Sequence, residues 1–170
     1  MKMTPQDFTK VYYPYALQCE KSTGISALAI LAQAAWESGW GEHTIDNNFF
    51  GQKDSDKDHS NAKLVTTTEY SSRADLKFPE IISITPYTNS LGQKKYKYLI
   101  KDWFTTYSTP AEGFEDHAQF FIRNPRYSQA MKVKVDPELF IQEVSKAGYA
   151  TDPNYDKNLI SIVHTLKKFI

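Results

Sequence analysis

Residues 34–41 read AAWESGWG and put one carboxylate, Glu37, at the end of the apolar run ISALAILAQ. Leu28, Leu31, Ala32 and Ala35 recur at i, i+3, i+4 and i+7, which predicts a helix with a buried stripe. Glu37 then lies near the helix C-terminus, where the aligned peptide dipoles oppose a negative charge. Trp36 and Trp40 flank it, and either remove water from it or offer a platform for a sugar face. Dipole and desolvation both penalise the carboxylate and raise its pKa. A carboxyl group that keeps its proton near neutral pH can serve as a general acid. The alternative is a solvated glutamate beside two core tryptophans.

Cleavage of a glycosidic bond usually takes a second carboxylate, to position water or to stabilise the cation. Glu69, in the strand-like stretch TTTEY, is the candidate, although a glutamate in such a strand is otherwise a solvent-face residue. Other constellations carry less. DSDKD at 54–58 begins like a calcium loop, but His59 and Val65 stand where glycine and glutamate are required, so it reads as a solvated loop. His43, His59, His117 and His164 lack metal-ligand spacing, and there is no glycine-rich phosphate loop; the sequence calls for neither metal nor cofactor. The single cysteine, Cys19, can form no internal disulfide and reads as a small buried residue. In KKYKYLIK, strand spacing puts Lys95, Lys97 and Lys101 on one face and Tyr96 and Tyr98 on the other. Such a ribbon is half-buried, with a basic side facing water or an anionic wall polymer.

These groups need a scaffold, and its punctuation is regular. Thr4-Pro5 opens a first helix with Phe8, Val11, Tyr12 and Tyr15 inward, and Pro14 is expected to kink or end it. Ser26 is placed to cap the second helix, and Gly39 to stop it in the left-handed conformation. KLVTTTEY, FPEIISITPY and LGQKKYKYLIKDWFTTY read as the two to four strands of a small antiparallel sheet. Thr109-Pro110-Ala111-Glu112 is a capping box for a helix burying Phe114, Ala118 and Phe121, stopped by Asn124-Pro125. Asp136-Pro137 starts the next, with Phe140, Val144 and Ala147 inward and Gly148 as its stop. Asp152-Pro153 is expected to start the last, burying Tyr155, Leu159, Ile162, Leu166 and Ile170. The expectation is an α+β fold of one catalytic domain over residues 1–170, a helical body with a β lobe at about 47–107 and a cleft between them.

Bulk composition agrees with a folded, water-soluble domain. Twenty acidic and twenty basic residues among 170 leave no net charge, which removes the simple electrostatic case for nucleic acid or an anionic membrane. Eleven Tyr, ten Phe and three Trp suffice for a core and an aromatic-lined groove. No apolar run reaches the roughly 18 residues of a membrane span. The first residues lack the apolar centre of a signal peptide, so either export uses another route or the signal lies outside this sequence.

Five ordered segments now carry a resemblance. LAQAAWESGWG, NNFFGQK, TTTEY, FTTYSTPAEGFEDHAQFFIRNPRYSQA and AGYATDPNYDKNLISIV resemble, in order, the motifs of glycoside hydrolase family 73, the peptidoglycan β-N-acetylglucosaminidases. The resemblance spans about residues 22–168 and implies a lysozyme-like fold. It implies Glu37 as general acid, Glu69 as the second acidic residue and Tyr149 as the active-site tyrosine. Asn48, Phe50 and Tyr127 match its substrate-cleft positions. The residues themselves add that Tyr149, between Gly148 and Asp152, sits on a tight connection from which its hydroxyl can reach a water or an acetamido group. Phe49 and Gln52 depart from the family's usual leucine and isoleucine or valine, and 71–101 is longer than its usual hairpin. The implied partners are peptidoglycan glycan strands, and an immunity protein should the chain be a secreted effector. A muramidase or lytic transglycosylase on the same fold, and a wall-binding module without catalysis, remain alternatives.

Overall fold

The computed structural model describes residues 2–170, which divide into two compact units. Among the described residues the helical unit comprises 2–52 and 107–170, and the β unit comprises 53–106.

In the helical unit, α1 (Pro5–Thr23) starts as expected: the Thr4 hydroxyl accepts from Asp7 N–H, with proline at the first turn. Contrary to expectation, α1 neither ends nor breaks at Pro14. The proline ring is exposed to solvent, and the buried Phe8 before it and Ala16 and Cys19 after it hold the helix on both sides. Val11 is exposed and does not join that stripe. Next comes α2 (Ala27–Glu37), whose residues Ala29 to Ala35 are all buried; a helix buried all round belongs at the centre of its unit. It packs against α1, α5 (Pro137–Lys146) and α6 (Tyr155–Leu166). Ser26 is the N-cap of α2 but makes no side-chain cap bond. Glu20, arriving from α1, accepts from Ala27 N–H instead (2.6 Å).

The capping box at the start of α3 (Pro110–Arg123) forms: Thr109 accepts from Glu112 N–H, and the Glu112 carboxylate reaches back to Ser108 N–H. Phe114, His117, Ala118 and Phe121 are its buried face. After Asn124 come one 3₁₀ turn (Pro125–Tyr127) and the short α4 (Ser128–Lys132). Asp136 caps α5 by accepting from Glu138 and Leu139 N–H. Asp152-Pro153 does not begin α6; it forms the turn before it, and the helix starts at Tyr155 behind Asn154. Tyr155, Leu159, Val163 and Leu166 are buried there, whereas Ile170 is exposed.

The β unit is a three-stranded antiparallel sheet in the order β1-β3-β2, with β1 Ala62–Ser71, β2 Glu80–Thr88 and β3 Lys94–Thr105. Tyr98, Ile100 and Phe104 on β3 are buried, and Lys95, Lys97 and Lys101 alternate with them on the other face, as strand spacing predicts. Every residue of the edge strand β2 is exposed. The segment between β1 and β2 is pinned on Tyr98, whose hydroxyl donates to Arg73 O (2.8 Å) while Phe78 packs on its ring.

Candidate active site

The end of α2 is shaped to present Glu37. Glu37 is the last helical residue. Behind it Trp40 N–H reaches back to Ala35 O (2.8 Å) and Gly39 N–H to Trp36 O (3.3 Å), so the chain reverses at once. That reversal requires a left-handed residue, and Gly39 supplies it with φ 58°. Trp40 also has positive φ (59°), a conformation that side chains disfavour. The buried Ser38 hydroxyl ties the turn together, donating to Ala34 O and accepting from Gly41 N–H.

Glu37 is open to solvent along one side, yet enough protein surrounds it that desolvation raises its pKa above the ordinary carboxylate value. One interaction pulls the other way: the Tyr155 hydroxyl donates to Glu37 Oε1 (3.1 Å) and favours the charged form. Desolvation is the larger effect.

A buried polar chain stands behind this bond. Gln33, one helical turn before Glu37 and fully buried, donates from Nε2 to Tyr155 Oη (3.2 Å). Its Oε1 lies 3.0 Å from His117 Nε2. Burial, opposed only in part by Asp116, pulls the His117 pKa down to about 3, so the ring is neutral. Phe50 stacks flat on it (centroids 3.7 Å apart, planes at 7°). Sequence reasoning missed all three as members of this cluster. In the sequence Tyr155 is one residue of an apolar stripe, and His117 stands out only as a possible metal ligand. The available signal was a glutamine inside ALAILAQAAWE, spaced i, i+4 from the acid.

Tyr149 lies on the turn after α5, stacked on Tyr155 (5.6 Å, 28°) and in edge contact with His117. Burial first, then the Glu37 charge, raises the pKa of its phenol, and the same two effects lead at Tyr155. Both groups therefore keep their protons and act as donors rather than bases. Arg126 holds the Tyr149 turn in place, donating to Ala147 O (2.5 Å) and Gly148 O (2.6 Å). Tyr127, buried, packs between Phe121 and Tyr149. The Asn48 side chain serves its own loop: its Oδ1 accepts from Phe50 and Gln52 N–H, and its amide donates to Gln52 O. Trp40 is half-buried with its ring edge on Phe8, while Trp36 is 41% exposed. Glu37, Tyr149, Phe50 and Tyr127 thus belong to one aromatic neighbourhood around His117 and Tyr155.

Glu69 lies in the β unit, half-buried on β1 opposite Tyr98 of β3. Lys53 Nζ stands 2.8 Å from its Oε1 and 2.9 Å from Asp102 Oδ2. Burial works against the charge of Lys53, but the two carboxylates outweigh it and raise its pKa. Phe78 covers the ammonium on another side (5.7 Å to the ring centroid). His59 stacks on Trp103 and contacts Asp54 (2.6 Å), so the polar loop is held by its own side chains.

Six α-helices and a three-stranded antiparallel sheet are the elements of a lysozyme-like glycoside hydrolase domain, the class to which the similar solved structures belong. A solved glycoside hydrolase domain from Salmonella typhimurium FlgJ, truncated at its C-terminus, superposes with a TM-score of 0.71 at 30% identity, covering 97% of this chain and 99% of that one. Residues 13–168 match the glucosaminidase family model, described as mannosyl-glycoprotein endo-beta-N-acetylglucosaminidase, and the chain belongs to that family. It is 31% identical over 165 residues to the peptidoglycan hydrolase FlgJ of Vibrio parahaemolyticus, covering 94% of this chain and 46% of that protein. It is also 31% identical over 143 residues to the exo-glucosaminidase LytG of Bacillus subtilis, covering 78% of this chain and 41% of that protein. The chain thus spans less than half the length of these curated relatives. No helix among the described residues is long and apolar enough to cross a membrane.

Proposed function

We propose that this chain hydrolyses the glycan strands of peptidoglycan on the reducing side of N-acetylglucosamine, with Glu37 as the proton donor. The observation that carries the reading is the setting of Glu37: accessible to a substrate, at a helix C-terminus, its pKa raised by desolvation, with no ion-pair partner among the described residues. Such a group delivers a proton to a leaving glycosidic oxygen. Family membership and the names of the relatives, peptidoglycan hydrolase and exo-glucosaminidase, support the substrate class.

Glu69, ion-paired with Lys53, suits the complementary role of activating water or stabilising the cationic transition state, unless the acetamido group of the substrate supplies the nucleophile. Tyr149, a phenol that keeps its proton, suits donation to that acetamido group or to the attacking water. Trp40, Asn48, Phe50 and Tyr127 are proposed as cleft residues that shape the site around the sugar. The activity takes place at the cell wall.

Glu37→Gln tests the assignment. It should fold, melt cooperatively and release no new reducing ends from purified peptidoglycan; substantial remaining activity overturns it. Mass spectrometry of wild-type fragments fixes the bond. Reducing N-acetylglucosamine ends are expected, whereas reducing or anhydro-muramic ends would assign a muramidase or a transglycosylase.

A further inference from the structure

We propose that His117, Gln33 and Tyr155 form a one-way hydrogen-bond chain that reserves Glu37 Oε1 as an acceptor and so leaves the acid proton to Oε2, an inference that rests on Glu37 being the proton donor. The direction of the chain follows from its buried end. His117 is buried and neutral, so its ring carries one N–H. The amide oxygen of Gln33 can only accept, so the proton of His117 sits on Nε2. That bond fixes the Gln33 amide, whose N–H₂ end then points at Tyr155 Oη. Having accepted, the phenol must use its own hydrogen elsewhere, and Glu37 Oε1 is the acceptor within reach.

The ring at the head of the chain cannot turn easily. Phe50 lies flat against it and Phe121 meets it edge-on (5.1 Å, 78°). Around Glu37 the titratable neighbours are Tyr149 and Tyr155, and beside His117 there is Asp116 of its own helix. His117, Gln33 and Tyr155 are positioning residues. None needs to touch the substrate, and their effect is to hold the acid in one rotamer with a defined proton.

The chain makes a prediction that packing alone does not. In His117→Phe the stack on Phe50 survives but the N–H is lost. The Gln33 amide is then free to turn its oxygen toward Tyr155 and take the phenol hydrogen away from Glu37. His117→Gln returns an N–H near the position of Nε2, and Tyr155→Phe removes the donor outright. The readout is kcat/KM against pH on soluble, uncrosslinked glycan fragments, where the upper limb reports loss of the acid proton. Losing a donor to the carboxylate should move that limb up by about one pH unit in Tyr155→Phe, less in His117→Phe, and not in His117→Gln. We expect kcat to fall about tenfold in the two phenylalanine variants, with KM within about twofold. An upper limb that stays put in Tyr155→Phe overturns the chain, as does equal movement in His117→Gln and His117→Phe. Should His117→Phe fail to fold, Tyr155→Phe and His117→Gln decide the question. If these profiles stay unmoved while Glu37→Gln is inactive, the chain falls and the proton donor stands; an active Glu37→Gln removes the proton donor itself.

Discussion

The two candidate carboxylates occupy opposite surroundings. In the helical unit Glu37 is met by a neutral phenol and aromatic rings, and desolvation pushes its pKa up. In the β unit Glu69 is met by an ammonium 2.8 Å away that it shares with Asp102. One side chain type is thus set up in two ways, one desolvated beside a neutral phenol and the other paired with an ammonium. The identity of the residue does not assign the role; the elements that pack around it do. The units differ in the same sense. The helical unit builds its site on a fully buried helix and a buried polar chain, whereas the β unit has an edge strand exposed along its whole length and holds its glutamate by an ion pair.

The largest effect should come from Glu37→Gln, which removes the proton and is expected to lower kcat by about 10³-fold. The same variant tests the environment through stability. A carboxyl whose folded-state pKa is raised above the unfolded value is neutral in both states at low pH. It penalises the folded state as pH rises through the folded pKa. Glu37→Gln should therefore melt higher than wild type at pH 7 and at the same temperature near pH 3; equal melting at both would break the contrast. Next in size is Gly113→Ala, in α3, where an added Cβ would collide with the backbone oxygen of Asn47. We expect a loss of about 2 kcal/mol in denaturant unfolding, because backbone cannot step aside as a flexible side chain can. The smallest is Lys53→Met, which leaves Glu69 and Asp102 on either side of a missing cation. It should reduce kcat about tenfold and leave the Glu37 limb of the pH profile where it was. Movement of that limb would show that the two carboxylates are not set independently.

What the sequence revealed was local. Thr4-Pro5, Thr109-Pro110 and Asp136-Pro137 mark helix starts because each cap bond spans only two or three residues. Gly39 is legible for the same reason, since the turn it closes is made by its immediate neighbours. Ser26 misleads because Glu20, a residue of the preceding helix, takes over the bond that a cap normally makes. Pro14 misleads because packing on both sides of it outweighs the loss of one backbone donor. At the site, Glu37 could be singled out from its helix and its tryptophans, and the ordered family motifs pointed to Glu69 and Tyr149. The chain from His117 through Gln33 to Tyr155 could not be read in that way. It joins α3, α2 and α6, with 84 positions between its first pair and 122 between its second. Nor does any local pattern pair Lys53 with Glu69, which takes the fold of the β unit to bring together.

The most direct test of the central claim is a carbon-detected NMR titration of the Glu37 carboxyl in the free protein, assigned by its disappearance in Glu37→Gln. The expected result is a pKa above the ordinary glutamate value of 4.5, raised further in Tyr155→Phe. A Glu37 that titrates at or below 4.5 would contradict it.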